Sequence, residues 1–430
     1  MQYPHQIEII PLTTPPTAAV RVPGSKSITN RALVLAALTV TEDQTIVLEN
    51  VLQSEDTEVM AEGLSRLGTR VVPDWATHTI DLAVSTGATT VLGDINVVNS
   101  GTSMRFLTAM VSLQHGRFRL DGIARMRERP IQDLLDALAQ LGVNTICENG
   151  NGCPPVIIDA NGLRGGAVRI KGESSSQFLS GLLMAAPFAE SDLTIEVDGP
   201  LVSVPYVEMT VTMMRQFGLH VTNDHCSRFH VPAPQHPVPL TRYVIEPDAS
   251  AASYFFAAAA ITGGQIGVTG LPTPSLQGDV RFVDLLQQMG CRIERGPDTI
   301  TVHGSALHGI DVDMNDISDT VMTLGAVACF AAGPTTIRNV GHIRHKETDR
   351  LAALATELRR LGAAVEECAD GLTITPGPLR DATVQTYNDH RMAMSLALVG
   401  LKIPGVVIDN PGCVAKTYPR FFEDLERLRG

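Results

Sequence analysis

The sequence predicts an α/β (α+β) protein built from six similar α+β units, grouped by threes into two halves. Three observations carry this expectation. One phrase, an amphipathic helix closed by a glycine and followed by strand-like alternation, recurs along the whole chain. The closing glycines are Gly68, Gly142, Gly218, Gly290, Gly362 and Gly430, at intervals of about 72 residues. That spacing is too long for an ordinary solenoid repeat and too short for a comfortable separate domain. Finally, a polar segment rich in hydroxyls or cations precedes each repeat helix.

Each part of the phrase has a physical reason. Leu138-Ala139-Gln140-Leu141-Gly142 and Leu286-Gln287-Gln288-Met289-Gly290 end in glycine because the residue past a helix often takes the left-handed conformation. Cys291-Arg292-Ile293-Glu294 and Thr299-Ile300-Thr301-Val302 then alternate as the two arms of a hairpin. The segments before the helices read Ser54-Glu55-Asp56-Thr57, Arg125 to Pro130, Ser203-Val204-Pro205-Tyr206, Gln277-Gly278-Asp279, Lys346 to Arg350 and Lys416 to Pro419. Ordinary capping explains Ser54 and Gln277. It explains the basic clusters poorly. Helices sharing one orientation would aim several such starts at a single cleft.

The strongest of these starts is Val22-Pro23-Gly24-Ser25-Lys26-Ser27-Ile28-Thr29-Asn30-Arg31, running into the Ala/Leu block of residues 32–38. Proline, glycine and hydroxyls open a helix, and the block that follows has no breaker. Unpaired N–H groups and partial positive charge at a helix start attract phosphate or carboxylate. Lys26 and Arg31 sharpen that preference. Taken alone, the stretch also fits a capped helix with solvated basic residues.

Composition narrows the function. The 430 residues are 44% hydrophobic and 18% charged, which supports large cores and excludes global disorder. Net charge is −13, from 33 basic and 46 acidic residues, against general binding to nucleic acid or an acidic membrane. The first eleven residues lack the pattern of a signal peptide, and residues 249–261 are too short and Ala-rich to span a bilayer. Seven scattered cysteines with no CxxC pair read as reduced cytosolic thiols, not a disulfide framework or zinc site.

Further constellations repeat the theme. Asn99-Ser100-Gly101-Thr102-Ser103-Met104-Arg105 is a small-residue turn ahead of the apolar run 106–113; Gly101 would admit close approach of a ligand and Arg105 adds charge. Gly172 to Phe178 offers more serine hydroxyls than a cap requires, and Tyr387 to Ala393 brings Arg391. Two acids stand among these cations. Asp319 precedes the apolar run 321–332, and Glu347 lies between Lys346 and Arg350. Capping or a surface ion pair would account for either acid. Near several cations, however, a carboxylate is favoured in its charged form and could serve as a general base. No HExxH, nucleophile elbow, Walker-type loop or dinucleotide-binding glycine fingerprint is present.

Together, Gly24 to Arg31, Asn99 to Arg105, Arg125 to Pro130, Ser175-Ser176-Gln177, Lys346-Glu347-Thr348-Asp349-Arg350 and Asn388-Asp389-His390-Arg391 resemble the 5-enolpyruvylshikimate-3-phosphate synthase family. The resemblance spans essentially the whole chain and is to the bacterial form usually sensitive to glyphosate. It implies the two-domain enolpyruvyl transferase fold: six βαβαββ units, three per domain, in an inside-out barrel-like arrangement. The domains would be residues 1–22 with 246–430, and residues 23–245, with the active site in the cleft between them. The implied reaction moves the enolpyruvyl group of phosphoenolpyruvate to the 5-hydroxyl of shikimate-3-phosphate and releases phosphate, on the route to chorismate and aromatic amino acids. No metal and no cofactor are implied, nor any nucleic-acid or membrane partner. A cytoplasmic monomer is expected.

Roles transfer by position. The resemblance implies shikimate-3-phosphate contacts from Lys26, Ser27, Arg31, Ser175, Ser176, Gln177, Ser203, Tyr206, Asp319, His342 and Lys346. It implies phosphoenolpyruvate contacts from Lys26, Gly101, Arg129, Gln177, Arg350, Arg391 and Lys416, with Arg105 a weaker member. Asp319 would accept the 5-hydroxyl proton, Glu347 would handle proton traffic at the methylene carbon, and Lys26 would assist. Two departures are visible. His342 stands where the family has an asparagine, and a ring nitrogen is expected to replace the amide. Ser100, Ser103 and Phe106 stand where the sensitive form commonly has Ala, Ala and Pro. Loss of a helix-start proline would shift Gly101 and weaken glyphosate inhibition. The sister UDP-N-acetylglucosamine enolpyruvyl transferase is the nearest alternative, but its mobile-loop cysteine has no counterpart in residues 125–130. A non-catalytic anion-binding protein would gain nothing from Asp319 and Glu347.

Overall fold

The computed structural model describes residues 3–85 and 93–429. Two compact units divide the chain: a central one, Gly24–Ile245, and a terminal one that joins Met1–Pro23 to Glu246–Gly430. The central unit carries helices α1 (Lys26–Thr39), α2 (Glu55–Arg66), α3 (Gly101–Val111), α4 (Gln132–Gln140), α5 (Ser176–Ala185) and α6 (Val204–Gln216). The terminal unit carries α7 (Ala249–Thr262), α8 (Phe282–Gln288), α9 (Val321–Ala328), α10 (Arg350–Arg360), α11 (His390–Gly400) and α12 (Phe421–Glu426).

Helices of two kinds alternate. In α3, α9 and α11 every residue is buried, and in α7 all but Thr262 are. A helix without a polar face belongs inside a core. In the terminal unit α7, α9 and α11 pack against one another. A line of hydroxyls crosses them: Ser253 meets Thr323 at 3.2 Å, and Thr323 meets Ser395 at 3.2 Å. Such pairs satisfy polar groups that water cannot reach. The second kind is amphipathic and ends at the repeat glycine. Gly68, Gly142, Gly218, Gly290 and Gly362 all have φ between +78° and +114°, where a side chain would be strained. After α4, Gly142 N–H donates to Ala139 O at 3.0 Å and Val143 N–H to Leu138 O at 3.1 Å. This double bond pattern closes the helix and starts the next strand. The sixth glycine, Gly430, lies outside the described residues.

Each repeat lays its strands in one small sheet. Asp94–Asn96 and His115–Asp121 pair in parallel across α3; the hairpin Asn144–Cys147 and Val156–Asn161 then adds on, its second strand antiparallel to His115–Asp121. The same βαβαββ order runs uninterrupted through Gly166–Val231 and through Asp311–Thr375. In the other three units a distant segment completes the sheet. Arg242–Val244 pairs with Thr45–Glu49, Thr17–Val20 with Gln265–Thr269, and Gln6–Ile9 with Val406–Asp409. The last of these sheets has three strands where the others have four. Among the described residues no helix is long and apolar enough to cross a membrane.

Candidate functional site

In the central unit the site residues sit at helix starts. Ser25 caps α1, its Oγ accepting from Ile28 N–H at 3.5 Å, and Lys26 is the first helical residue. Lys26 Nζ lies 3.1 Å from the buried Asp56 Oδ2 on α2. Ser27 lends its carbonyl to Arg31 Nη1 at 3.1 Å. The Arg31 guanidinium is 1% exposed and donates to Thr210 Oγ1 at 2.7 Å, Tyr206 O at 3.2 Å and Ser180 Oγ at 3.3 Å. Its carbon lies 5.2 Å from the centre of the Phe106 ring and 5.9 Å from that of Tyr206. Burial pulls the Arg31 pKa down to about 10. Among the described residues no carboxylate lies within ion-pair distance of it. A buried cation without an anion is costly, so such a group invites one.

The α3 start gathers two more guanidinium groups. Arg129 Nη1 donates to Asn99 O at 3.0 Å and Arg105 Nη2 to Pro130 O at 2.7 Å; both side chains are buried. Arg129 also has no carboxylate partner among the described residues. A Cβ built on Gly101 would stand 2.5 Å from Arg129 Nη2 and 3.1 Å from Arg105 Nη1. Close approach explains this glycine. At α5 the serines divide their work. Ser174 donates to Asp133 at 2.6 Å, Ser175 Oγ caps Gln177 N–H at 3.3 Å, and Ser176 opens the helix. Ser203 precedes α6 with φ +53° and makes no side-chain cap, so capping does not explain its hydroxyl.

One expectation is corrected here. Phe106 is not at a helix start: it is buried inside α3, which opens at Gly101 behind the Ser100 cap. A proline there would interrupt the helix, not begin it. Phe106 therefore frees no helix start and gives no reason for Gly101 to shift.

The terminal unit holds a compact ionic network. Asp319 comes from the 3₁₀ segment Asn315–Thr320 that leads into α9. Its Oδ1 takes Arg350 Nη1 at 3.1 Å and its Oδ2 takes Arg391 Nη2 at 2.6 Å. Arg350 opens α10, is 1% exposed, and also reaches Glu347 Oε2 and Asp389 Oδ2, each at 2.8 Å. Burial pulls the Arg350 guanidinium down, but Asp389, Glu347 and Asp319 together carry it above its ordinary value. Glu347 Oε1 faces Lys416 Nζ at 3.6 Å. Asp389 caps α11, accepting from Arg391 N–H at 2.9 Å, so one acid places both arginines.

Lys346 ends the 3₁₀ segment that carries His342, whose Nε2 lies 3.0 Å from Ser318 Oγ, beside Asp319. Burial, and then Lys346, press the His342 pKa to about 3, so its ring is neutral near pH 7. Asp279, in the 3₁₀ segment Gly278–Arg281, is buried and bonded to the Ser250 hydroxyl. Burial and the charge of Asp319 raise its pKa to about 6.

Sequence reasoning did not single out Asp56, Asp389 or Asp279 as acids of these clusters. The signal for Asp389 was an acid at a cap position two residues before a candidate cation. Asp56 and Asp279 carried no signal beyond a polar segment.

The fold is that of solved enolpyruvyl transferases. The EPSP synthase of Acinetobacter baumannii superimposes with a TM-score of 0.79 at 24% identity, covering 98% of each chain. The enolpyruvyl transferase NikO of Streptomyces tendae does so at 0.76 and 22%, covering 98% of this chain and 96% of its own. The family model for EPSP synthase (3-phosphoshikimate 1-carboxyvinyltransferase) matches residues 13–425, and the chain belongs to that family. Relatives named 3-phosphoshikimate 1-carboxyvinyltransferase include one from Trichormus variabilis, 48% identical over 99% of both chains. Another, from Nostoc sp., is 49% identical over 97% of both.

Proposed function

We propose that this chain transfers the enolpyruvyl group of phosphoenolpyruvate to the 5-hydroxyl of shikimate-3-phosphate, releasing phosphate, in the shikimate route to aromatic amino acids. Family membership supports the reaction. The observation that carries the chemistry is Asp319 bonded to Arg350 and Arg391, with Glu347 on the same Arg350. A binding protein gains nothing from acids set among cations; an addition–elimination needs them.

In this reading Arg31, Lys26, Ser27, Ser175, Ser176, Gln177, Ser203, Tyr206, His342 and Lys346 hold shikimate-3-phosphate. Lys26, Gly101, Arg129, Gln177, Arg350, Arg391 and Lys416 hold phosphoenolpyruvate. Both substrates are anionic, and each cation–anion contact near 4 Å offsets about 4 kcal/mol of their repulsion at an effective dielectric near 20, before desolvation. Several such contacts are needed.

The steps follow from charge. A proton delivered through Glu347 adds to the methylene carbon of phosphoenolpyruvate, leaving cationic character at the neighbouring carbon. Asp319 takes the proton of the 5-hydroxyl as its oxygen attacks that carbon, giving a tetrahedral ketal. Glu347 then takes back a methyl proton as phosphate leaves, which restores the double bond, and the departing phosphate carries off the proton held by Asp319. Neither a metal nor an organic cofactor enters these steps, and the enzyme is read as a cytoplasmic monomer. Chelator-insensitive turnover and a single-chain mass in solution check the first and last of these.

The direct test is phosphate release from phosphoenolpyruvate with shikimate-3-phosphate, UDP-N-acetylglucosamine, or neither as acceptor. Release only with shikimate-3-phosphate is expected. Release with the sugar nucleotide, or none at all, would overturn the reading.

A further inference from the structure

A buried arginine is normally held by a carboxylate, which fixes the guanidinium plane and neutralises its charge. Arg31 is held otherwise. Its N–H donors go to two hydroxyls and two carbonyls, and its carbon lies 5.2 Å from the Phe106 ring centre. Tyr206 adds a second ring at 5.9 Å. Both distances are within the range where the negative face of an aromatic ring attracts a cation. Thr210 also donates to Ser180 Oγ at 3.0 Å, so the two hydroxyls that meet Arg31 are themselves locked together. Phe106 is 1% exposed and anchored within α3, which leaves its ring little freedom to move away.

We infer that Phe106 is a positioning residue for the proposed reaction: its ring face orients the Arg31 guanidinium toward shikimate-3-phosphate without cancelling its charge. The inference rests on the proposed function and adds to it a residue outside the contacts proposed for either substrate. The logic is electrostatic. A carboxylate beside Arg31 would compete with the substrate for the cation. A ring face stabilises the same cation, occupies none of its N–H donors, and leaves a full positive charge for an arriving anion. Neutral oxygens and π faces together take the place of a counter-ion.

The test replaces Phe106 in the full chain by mono-, di- and trifluorophenylalanine. These keep the shape of the side chain and progressively remove the negative potential of its face. The dissociation constant for shikimate-3-phosphate alone is measured by calorimetry, and KM for phosphoenolpyruvate and kcat by phosphate release. The dissociation constant is expected to rise stepwise with fluorination, about fivefold to tenfold across the series. KM for phosphoenolpyruvate and kcat should stay within twofold. Phe106→Leu, which keeps an apolar filler but no ring, should match the trifluoro variant. A flat series overturns the inference, as does a rise in both substrates' constants together, which would mark Phe106 as simple packing. If the unmodified chain releases no phosphate, the function fails separately, while the calorimetric series still decides the role of Phe106. An unmodified chain that does not bind shikimate-3-phosphate overturns both.

Discussion

Asp319 receives a hydrogen bond from Arg391 across 2.6 Å. Its other oxygen takes Arg350 at 3.1 Å, so the acid proposed as the base is occupied on both sides. Each of these hydrogen bonds competes with a substrate hydroxyl for the same oxygens. On the proposed assignment, the carboxylate and phosphate of phosphoenolpyruvate carry the charge to draw both guanidinium groups away. Binding one substrate would then release the base that activates the other.

Asp319→Asn tests that coupling. The amide cannot take up the hydroxyl proton, and kcat is expected to fall about 10²–10⁴-fold. The two arginines lose a competing anion, so phosphoenolpyruvate should bind as tightly as before or more tightly. Calorimetry beside turnover measures both. Affinity falling in step with kcat would mean that Asp319 mainly builds the site.

Gly101→Ala should separate the substrates. Its Cβ would come within 2.5 Å of Arg129 Nη2, and the buried guanidinium must give way. KM for phosphoenolpyruvate is expected to rise about tenfold and stability to fall by about 1–2 kcal/mol, as for overpacking elsewhere. The dissociation constant of shikimate-3-phosphate should stay within twofold, because Arg31 is held by other residues. Equal loss for both substrates would contradict this.

His342 makes a prediction about acid stability. Its pKa in the folded chain, about 3, lies below the ordinary value of about 6.5. The unfolded chain therefore takes the proton first as pH falls. The neutral ring's contribution is complete above about pH 6.5 and is lost progressively toward pH 3, at a limiting slope of about 1.4 kcal/mol per pH unit. His342→Asn removes that slope. Between pH 7.5 and 4.5 the melting temperature of the variant should fall several degrees less than that of the parent. Parallel melting curves would contradict the depressed value.

Asp279 carries the opposite sign. Its folded pKa, about 6, lies above the ordinary 3.8, so its favourable contribution is complete at low pH and is lost as pH rises through 6. Asp279→Asn keeps an acceptor for the Ser250 hydroxyl and should be more stable than the parent at pH 8. The gap should narrow toward pH 4. A gap that is constant with pH would indicate a packing effect instead.

Some of this was legible in the sequence because local chemistry demands it. Only glycine sits easily at φ +84° behind α4 or +114° behind α8, so the repeat could be read from Gly142 and Gly290. Ser25, Ser100 and Ser175 do cap helices, as hydroxyls before apolar runs suggest. What stayed hidden depends on partners far along the chain. That Asp389 would brace Arg350, or Asp56 meet Lys26, follows from how helices pack, and no short window of sequence contains it. Phe106 was misread for a related reason. Its helix starts five residues earlier, on small polar residues that periodicity alone reads as a turn.

The pairing of Gln6–Ile9 with Val406–Asp409, and of Thr17–Val20 with Gln265–Thr269, bears on how the protein is made. During synthesis residues 24–245 have all their sheet partners once that stretch has left the ribosome. The opening strands emerge first and must wait with unpaired edges, Thr17–Val20 until residue 269 exists and Gln6–Ile9 until residue 409 does. A tag or deletion at the amino end would therefore fall on the half that is finished last, and its effect would be seen in yield before it was seen in turnover.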